Sequence, residues 1–196
     1  GGWARAGRGG GGVRGAGGPG GSPPVGIARR TPGDEFALAA GFLMGGGGGA
    51  PGTITRVAYC DDVTGEQHHN GVTVTTSGEA GLGEARRVAG TSACGICGRA
   101  SLDEVEVRCA PLAPGPVVSE RVLLGLPDTM RAGQRVFDET GGLHAAGLFE
   151  PDGTLRFLRE DVGRHNALDQ VVGAAALVGE LPLAHLLLVV SRRAAV

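Results

Sequence analysis

Residues 154–190 read TLRFLREDVGRHNALDQVVGAAALVGELPLAHLLLVV, and this stretch decides the fold. TLRFLRED, reached through the turn Pro151-Asp152-Gly153, has the alternation of a strand. RHNALDQVVGAAALVG places Ala167, Leu168, Val171, Val172, Ala175 and Val178 on one helical face. HLLLVV has the unbroken apolar character of a buried strand. Strand, helix, strand in this order predicts a βαβ unit and hence an α/β layered fold.

Working backwards, RVFDETGGLHAAGLF predicts a helix with a glycine-rich start, and SERVLLGLPDTM a short helix broken before Pro127. TITRVAYC, NGVTVTTS and DEVEVRCAPL alternate β-branched with polar residues and predict three strands. RTPGDEFALAAGFLMG predicts a helix capped by Asp34, with Phe36, Leu38, Ala39, Phe42 and Leu43 near helical spacing and a stop at Gly45. Residues 1–29 are low-complexity Gly, Arg and Pro with almost no apolar periodicity, and the expectation is disorder or mistranslated sequence. The expected division is therefore this tract followed by one domain over residues 30–196.

The 196 residues, 41% of them hydrophobic, suffice for one domain with a core. A net charge of -2 disfavours general nucleic-acid binding. All 18 basic residues are Arg, which fits a GC-rich coding sequence and gives arginine counts little functional weight. LPLAHLLLVV is interrupted by Pro182 and His185 and is too short to span a bilayer, so no membrane role is expected. Four cysteines, two in one CxxC and two isolated, do not make a secreted disulfide framework and point to a reducing cytoplasm.

The pair lies in TSACGICGRASLDE, residues 91–104. A structural zinc site needs four ligands, and Cys94 and Cys97 supply two; no HxxxH spacing supplies the rest. A thioredoxin-like redox pair opens a helix after a core strand, whereas this one follows the polar GLGEARRVAG. Two small residues in a turn is the plainest reading, but it leaves the flanking glycines unexplained. A carrier thiol is the fourth reading. Gly95 and Gly98 supply supple backbone, while Arg99 and a helix started by the Ser101–Glu104 capping box favour thiolate. Cys60 and Cys109 lie on strand patterns and are assigned to core packing.

Gly141 and Gly142, ahead of His144, allow close approach to a helix start, where a pyrophosphate is favoured; tight packing around a structural histidine explains them equally well. Arg164, His165 and Asn166 open the long helix and suit guanine edges or phosphate oxygens. Capping by Asp161 or Asn166 is the simpler alternative. Asp138 and Glu139 form a carboxylate pair that capping and solvation also explain.

RTPGDEFALAAGFL, TSACGICGRASLD, FDETGGLHAAGLFEPDG and REDVGRHNALDQVVG, in this order and spacing, resemble the FdhD/NarQ family of formate dehydrogenase accessory sulfurtransferases from about Arg30 to Ser191. The resemblance implies a cytidine-deaminase-like α/β layered sandwich and a cytoplasmic homodimer. It implies that a cysteine desulfurase delivers persulfide sulfur to Cys94, assisted by Cys97. From there the sulfur passes to a molybdenum or tungsten bis-guanine-dinucleotide cofactor destined for formate dehydrogenase. Gly141, Gly142, His144, Arg164, His165 and Asn166 are then the expected cofactor-binding residues, with no resident metal. Strands ahead of RTPGD and segments beyond Ser191, where Arg192 and Arg193 replace a Ser-Gly-Arg motif, depart from the family pattern, so the sandwich is expected to be incomplete at both ends. A non-catalytic cofactor chaperone is the rival reading. Zinc-dependent deamination is disfavoured, because LHAAG lacks the glutamate of H-x-E and Ala93 stands where PCxxC has proline.

Overall fold

In the computed structural model, which describes residues 10–16, 24–45, 52–59, 69–77 and 114–191, the first half of the chain forms a four-stranded sheet. Strands β1 (Gly10–Ala16) and β2 (Pro24–Arg29) precede helix α1 (Glu35–Gly45), followed by β3 (Ile54–Tyr59) and β4 (Gly71–Thr76). The sheet order is β2-β1-β4-β3, with β1 and β4 parallel and the other pairs antiparallel. Two strands thus occupy a tract whose side chains predict no ordered element. Hydrophobic patterning misses them because β1 pairs along both edges, and a backbone ladder satisfies N–H and C=O groups whatever the side chains are. Ala39 and Leu43 of α1 pack on Val72 and Val74 of β4, ringed by Phe36, Phe42, Ile54, Val57 and Tyr59.

The second half contains α2 (Glu120–Gly133), α3 (Arg135–Thr140), β5 (His144–Phe149), β6 (Leu155–Asp161), α4 (Arg164–Leu177) and β7 (Leu187–Val190). Its sheet order is β6-β5-β7, with β5 antiparallel to both neighbours. Strand alternation sends Ala146 and Leu148 to α4 (Ala167, Val171, Ala175), and Ala145 and Phe149 to α2 (Leu126, Met130).

Four expectations are corrected. The strand–helix–strand unit exists, but β5 lies between β6 and β7, so the two run the same way without pairing. HLLLVV is an edge strand with Leu188 half exposed, not a buried one. LHAAGLF is strand rather than helix: a short apolar run fits either period, and Gly141 ends α3 in the left-handed region at φ 65°. Finally α2 runs through Pro127, because Leu126 and Met130 on either side of it are anchored in the core. The architecture is mixed α/β with mainly antiparallel sheets.

α1 and α4 make the most extensive helix contact and join the two halves. A Cβ on Gly41 would fall on the Asp169 carbonyl, and one on Gly173 would fall on the Ala37 carbonyl, so the backbones touch at two glycines. α4 is therefore buried on two faces, against its sheet and against α1, which is why its second half is rich in Gly and Ala; Val178, expected on its apolar face, is the C-cap beyond the helix and lies exposed.

Candidate functional site

β6 ends at Asp161, which faces His144, the first residue of β5, in the antiparallel register. Two residues later α4 begins, its first turn formed by Arg164, His165 and Asn166, all half-buried. Beyond β7, the Ser191 hydroxyl accepts a hydrogen bond from Ala145 N–H (3.0 Å), and Ser191 N–H donates to the Ala145 carbonyl (2.9 Å). The carboxyl ends of β6 and β7, the amino end of β5 and the N-terminal end of α4 thus meet at one end of the sheet.

The segment before α1 closes this end. Thr31 N–H donates to Asp161 Oδ2 (2.8 Å), and Thr31 Oγ1 accepts from Val162 N–H (3.0 Å). Asn166 Nδ2 donates to the Arg29 carbonyl (2.6 Å) and to Asp161 Oδ1 (2.9 Å). Gly163 N–H donates to Asp161 Oδ1 (2.8 Å) and Gln170 Nε2 to Asp161 Oδ2 (2.9 Å). Asp161 and Gln170 are fully buried. Asp161 thus accepts four hydrogen bonds, and among the described residues no cation pairs with it. Burial pushes its carboxyl above the usual range, against the downward pull of the Gly163 and Thr31 N–H groups and the Asn166 and Gln170 amides.

Of the expected site residues, His144, Arg164, His165 and Asn166 are brought to this one end. Asn166 has its amide nitrogen engaged in the network, which gives it a structural role there. Gly163 is the N-cap of α4 and has no side chain to cap with, so Asp161 secures the helix start from just ahead of it. The helix start expected at Gly141 and Gly142 is instead the C-terminal end of α3, with Gly141 N–H bonded to the Phe137 carbonyl (2.7 Å). That pole repels anions rather than attracting them. Cys94, Cys97, Cys60 and Cys109 lie outside the described residues. Asp138 is in an exposed ion pair with Arg131 (2.6 Å).

A second buried carboxylate lies at the other end of the same segment. Glu35 Oε1 is 2.6 Å from Arg30 Nη1 and accepts from Gly33 N–H (2.9 Å), and Oε2 accepts from the Tyr59 hydroxyl (3.4 Å). Arg30 Nη2 continues to the His69 carbonyl (2.9 Å). Burial pushes the Glu35 carboxyl up, but the Gly33 and Glu35 N–H groups, Arg30 and Tyr59 together outweigh it, and the net displacement is downward.

Sequence reasoning weighed Asp161 only as a cap and passed over Thr31 and Gln170. One signal was available: Asn166 and Gln170 are four residues apart and share a face of α4. Among the described residues no group of three or more His, Cys, Asp or Glu is placed to hold a metal. No helix among them is long and apolar enough to cross a membrane.

The FdhD/NarQ family matches residues 24–196. The chain is 48% identical over 180 residues to the sulfur carrier protein FdhD of Streptomyces coelicolor, covering 87% of this chain and 64% of that one. It is 36% identical over 167 residues to the protein of the same name in Saccharolobus solfataricus, covering 85% and 61%. A crystal structure from Desulfotalea psychrophila, provisionally assigned as a formate dehydrogenase accessory protein, superposes with a TM-score of 0.64 at 20% identity, covering 93% of this chain and 64% of that one. The chain belongs to the FdhD/NarQ family, and spans just under two thirds of the length of the Streptomyces relative.

Proposed function

We propose that this chain belongs to a sulfurtransferase that carries persulfide sulfur from a cysteine desulfurase to a molybdenum or tungsten bis-guanine-dinucleotide cofactor, its substrate, for use by formate dehydrogenase. Family membership, together with the CGIC sequence at residues 94–97, is the observation that carries this reading. The Cys94 thiolate attacks the outer sulfur of the desulfurase persulfide; that S–S bond breaks, the donor leaves as thiolate, and Cys94 keeps the sulfur as its own persulfide. For release, the Cys97 thiolate attacks Cys94 Sγ, and the outer sulfur departs to the metal with its electron pair as hydrosulfide. The resulting Cys94–Cys97 disulfide is reopened by a dithiol reductant. His144, Arg164, His165 and Asn166 lie on the nucleotide side, supported by their convergence beside the N-terminal end of α4, with Gly141 and Gly142 leading to His144. A cytidine-deaminase-like sandwich, a homodimer and a cytoplasmic location belong to the same proposal.

Incubation with a cysteine desulfurase and free cysteine tests it. Mass spectrometry should place one cyanide-sensitive extra sulfur on the peptide carrying Cys94 and Cys97, and Cys94→Ala should abolish it. Sulfur on Cys60 or Cys109, or loading that survives Cys94→Ala, defeats the assignment. Loss of loading without loss of formate dehydrogenase maturation would favour a cofactor-holding chaperone.

A further inference from the structure

We infer that Asp161 is the positioning residue of the nucleotide side, locking the 161–163 turn and the first turn of α4 so that Arg164 and His165 are presented from a fixed frame. The inference rests on the proposed cofactor-binding reading of that end and adds a residue with no assigned part in it. Three observations carry it. All four groups on the carboxylate are donors, and they come from the Thr31 segment, the turn itself and two successive turns of α4. Removing any one frees a different piece of the frame. Thr31 is bonded twice, to Asp161 and to Val162, so the segment 130 residues away in sequence is clamped onto the same turn. Gln170 keeps its Nε2 on Asp161 although its buried Oε1 then has no partner among the described residues, so the fourth donor to the carboxylate is kept at the expense of a buried acceptor.

With guanosine diphosphate as the probe, titration calorimetry on the whole chain, well below its thermal transition, should give graded affinities. Asp161→Asn keeps one acceptor and should bind more weakly than the wild type. Asp161→Ala keeps none and should bind more weakly still, by roughly 10- to 100-fold, the scale on which outer partners orient ligating groups. The amide protons of Thr31 and Gly163 should lose exchange protection in step. Should both variants fail to fold, Gln170→Met removes one donor to Asp161 together with the buried Oε1 and should weaken binding by about fivefold, equivalent to one hydrogen bond. Wild-type protein that does not bind the nucleotide overturns the cofactor-side reading and this inference with it. Wild-type protein that binds, with folded variants that bind equally well, overturns the role of Asp161 alone.

Discussion

Two buried carboxylates flank one short segment and are held in opposite ways. Glu35 is paired with a buried guanidinium, and its network joins α1, β3 and the turn at His69 just ahead of β4 within the first half of the chain. Among the described residues Asp161 has only neutral hydrogen-bond donors, and its network ties the Thr31 segment to α4 across 130 residues. An ion pair compensates its own charge and clamps two groups together. A carboxylate surrounded by dipoles keeps an uncompensated charge and fixes the direction of each donor, which favours orientation over stability. The first arrangement suits a structural clamp, and the second suits a frame that must present other side chains.

The two regions meet through the α1–α4 crossing, and the most severe way to break the comparison is to force that crossing apart. In Gly173→Ala the new Cβ would fall on the Ala37 carbonyl and lie 2.6 Å from Gly41 N, both backbone atoms that no rotamer change can move. Destabilisation of about 3 kcal/mol is expected from such overpacking. That exceeds the ~1 kcal/mol by which Ala outranks Gly inside a helix. Urea unfolding measures it, and a variant as stable as the wild type would mean the helices are not in backbone contact.

Next in size is Glu35→Gln. It leaves Arg30, whose side chain is only 6% exposed, without a counter-charge among the described residues, and the loss should be roughly 3 kcal/mol. Adding Arg30→Met should recover most of it in the same denaturation experiment. If the double variant is no better than the single one, the clamp is held by its neutral hydrogen bonds and the contrast with Asp161 loses its basis.

Much of this arrangement was legible, and the failures share a cause. β3, β4, β6 and the starts of α1 and α4 follow from alternation, turn chemistry and capping, all local signals. β5 was misread because the five residues after His144, AAGLF, carry no decisive period, and the break from α3 is made at the left-handed Gly141. β1 has glycines where side chains would speak, so its pairing is visible only once β2 and β4 exist. The site divides the same way. His144, Arg164, His165 and Asn166 were legible as chemistry, but their meeting depends on a register between β5 and β6 that no single segment encodes. Asp161 is legible from the sequence as a cap, but its burial is not, because Thr31 and Gln170 enclose it only once the fold has formed.

The smallest expected effect sharpens the comparison most, because it is one of sign. The Glu35 carboxyl is held below 4.5 in the folded protein, so its contribution to stability is fully present above that value and lost as pH falls through the folded value. The Asp161 carboxyl is raised above 3.8, so its contribution is fully present below 3.8 and lost as pH rises through the folded value. The stability advantage of the wild type over Glu35→Gln should therefore shrink on acidification. Its advantage over Asp161→Asn should instead grow as pH falls towards 3.8, since the folded wild type takes up a proton there more readily than the unfolded chain. Urea midpoints for the three proteins, from pH 7 down to pH 4, at ionic strength fixed at about 0.15 M so that surface charges stay screened, give both slopes. Slopes of the same sign would mean that the two carboxylates are compensated alike, and that the four neutral donors on Asp161 do not set its behaviour.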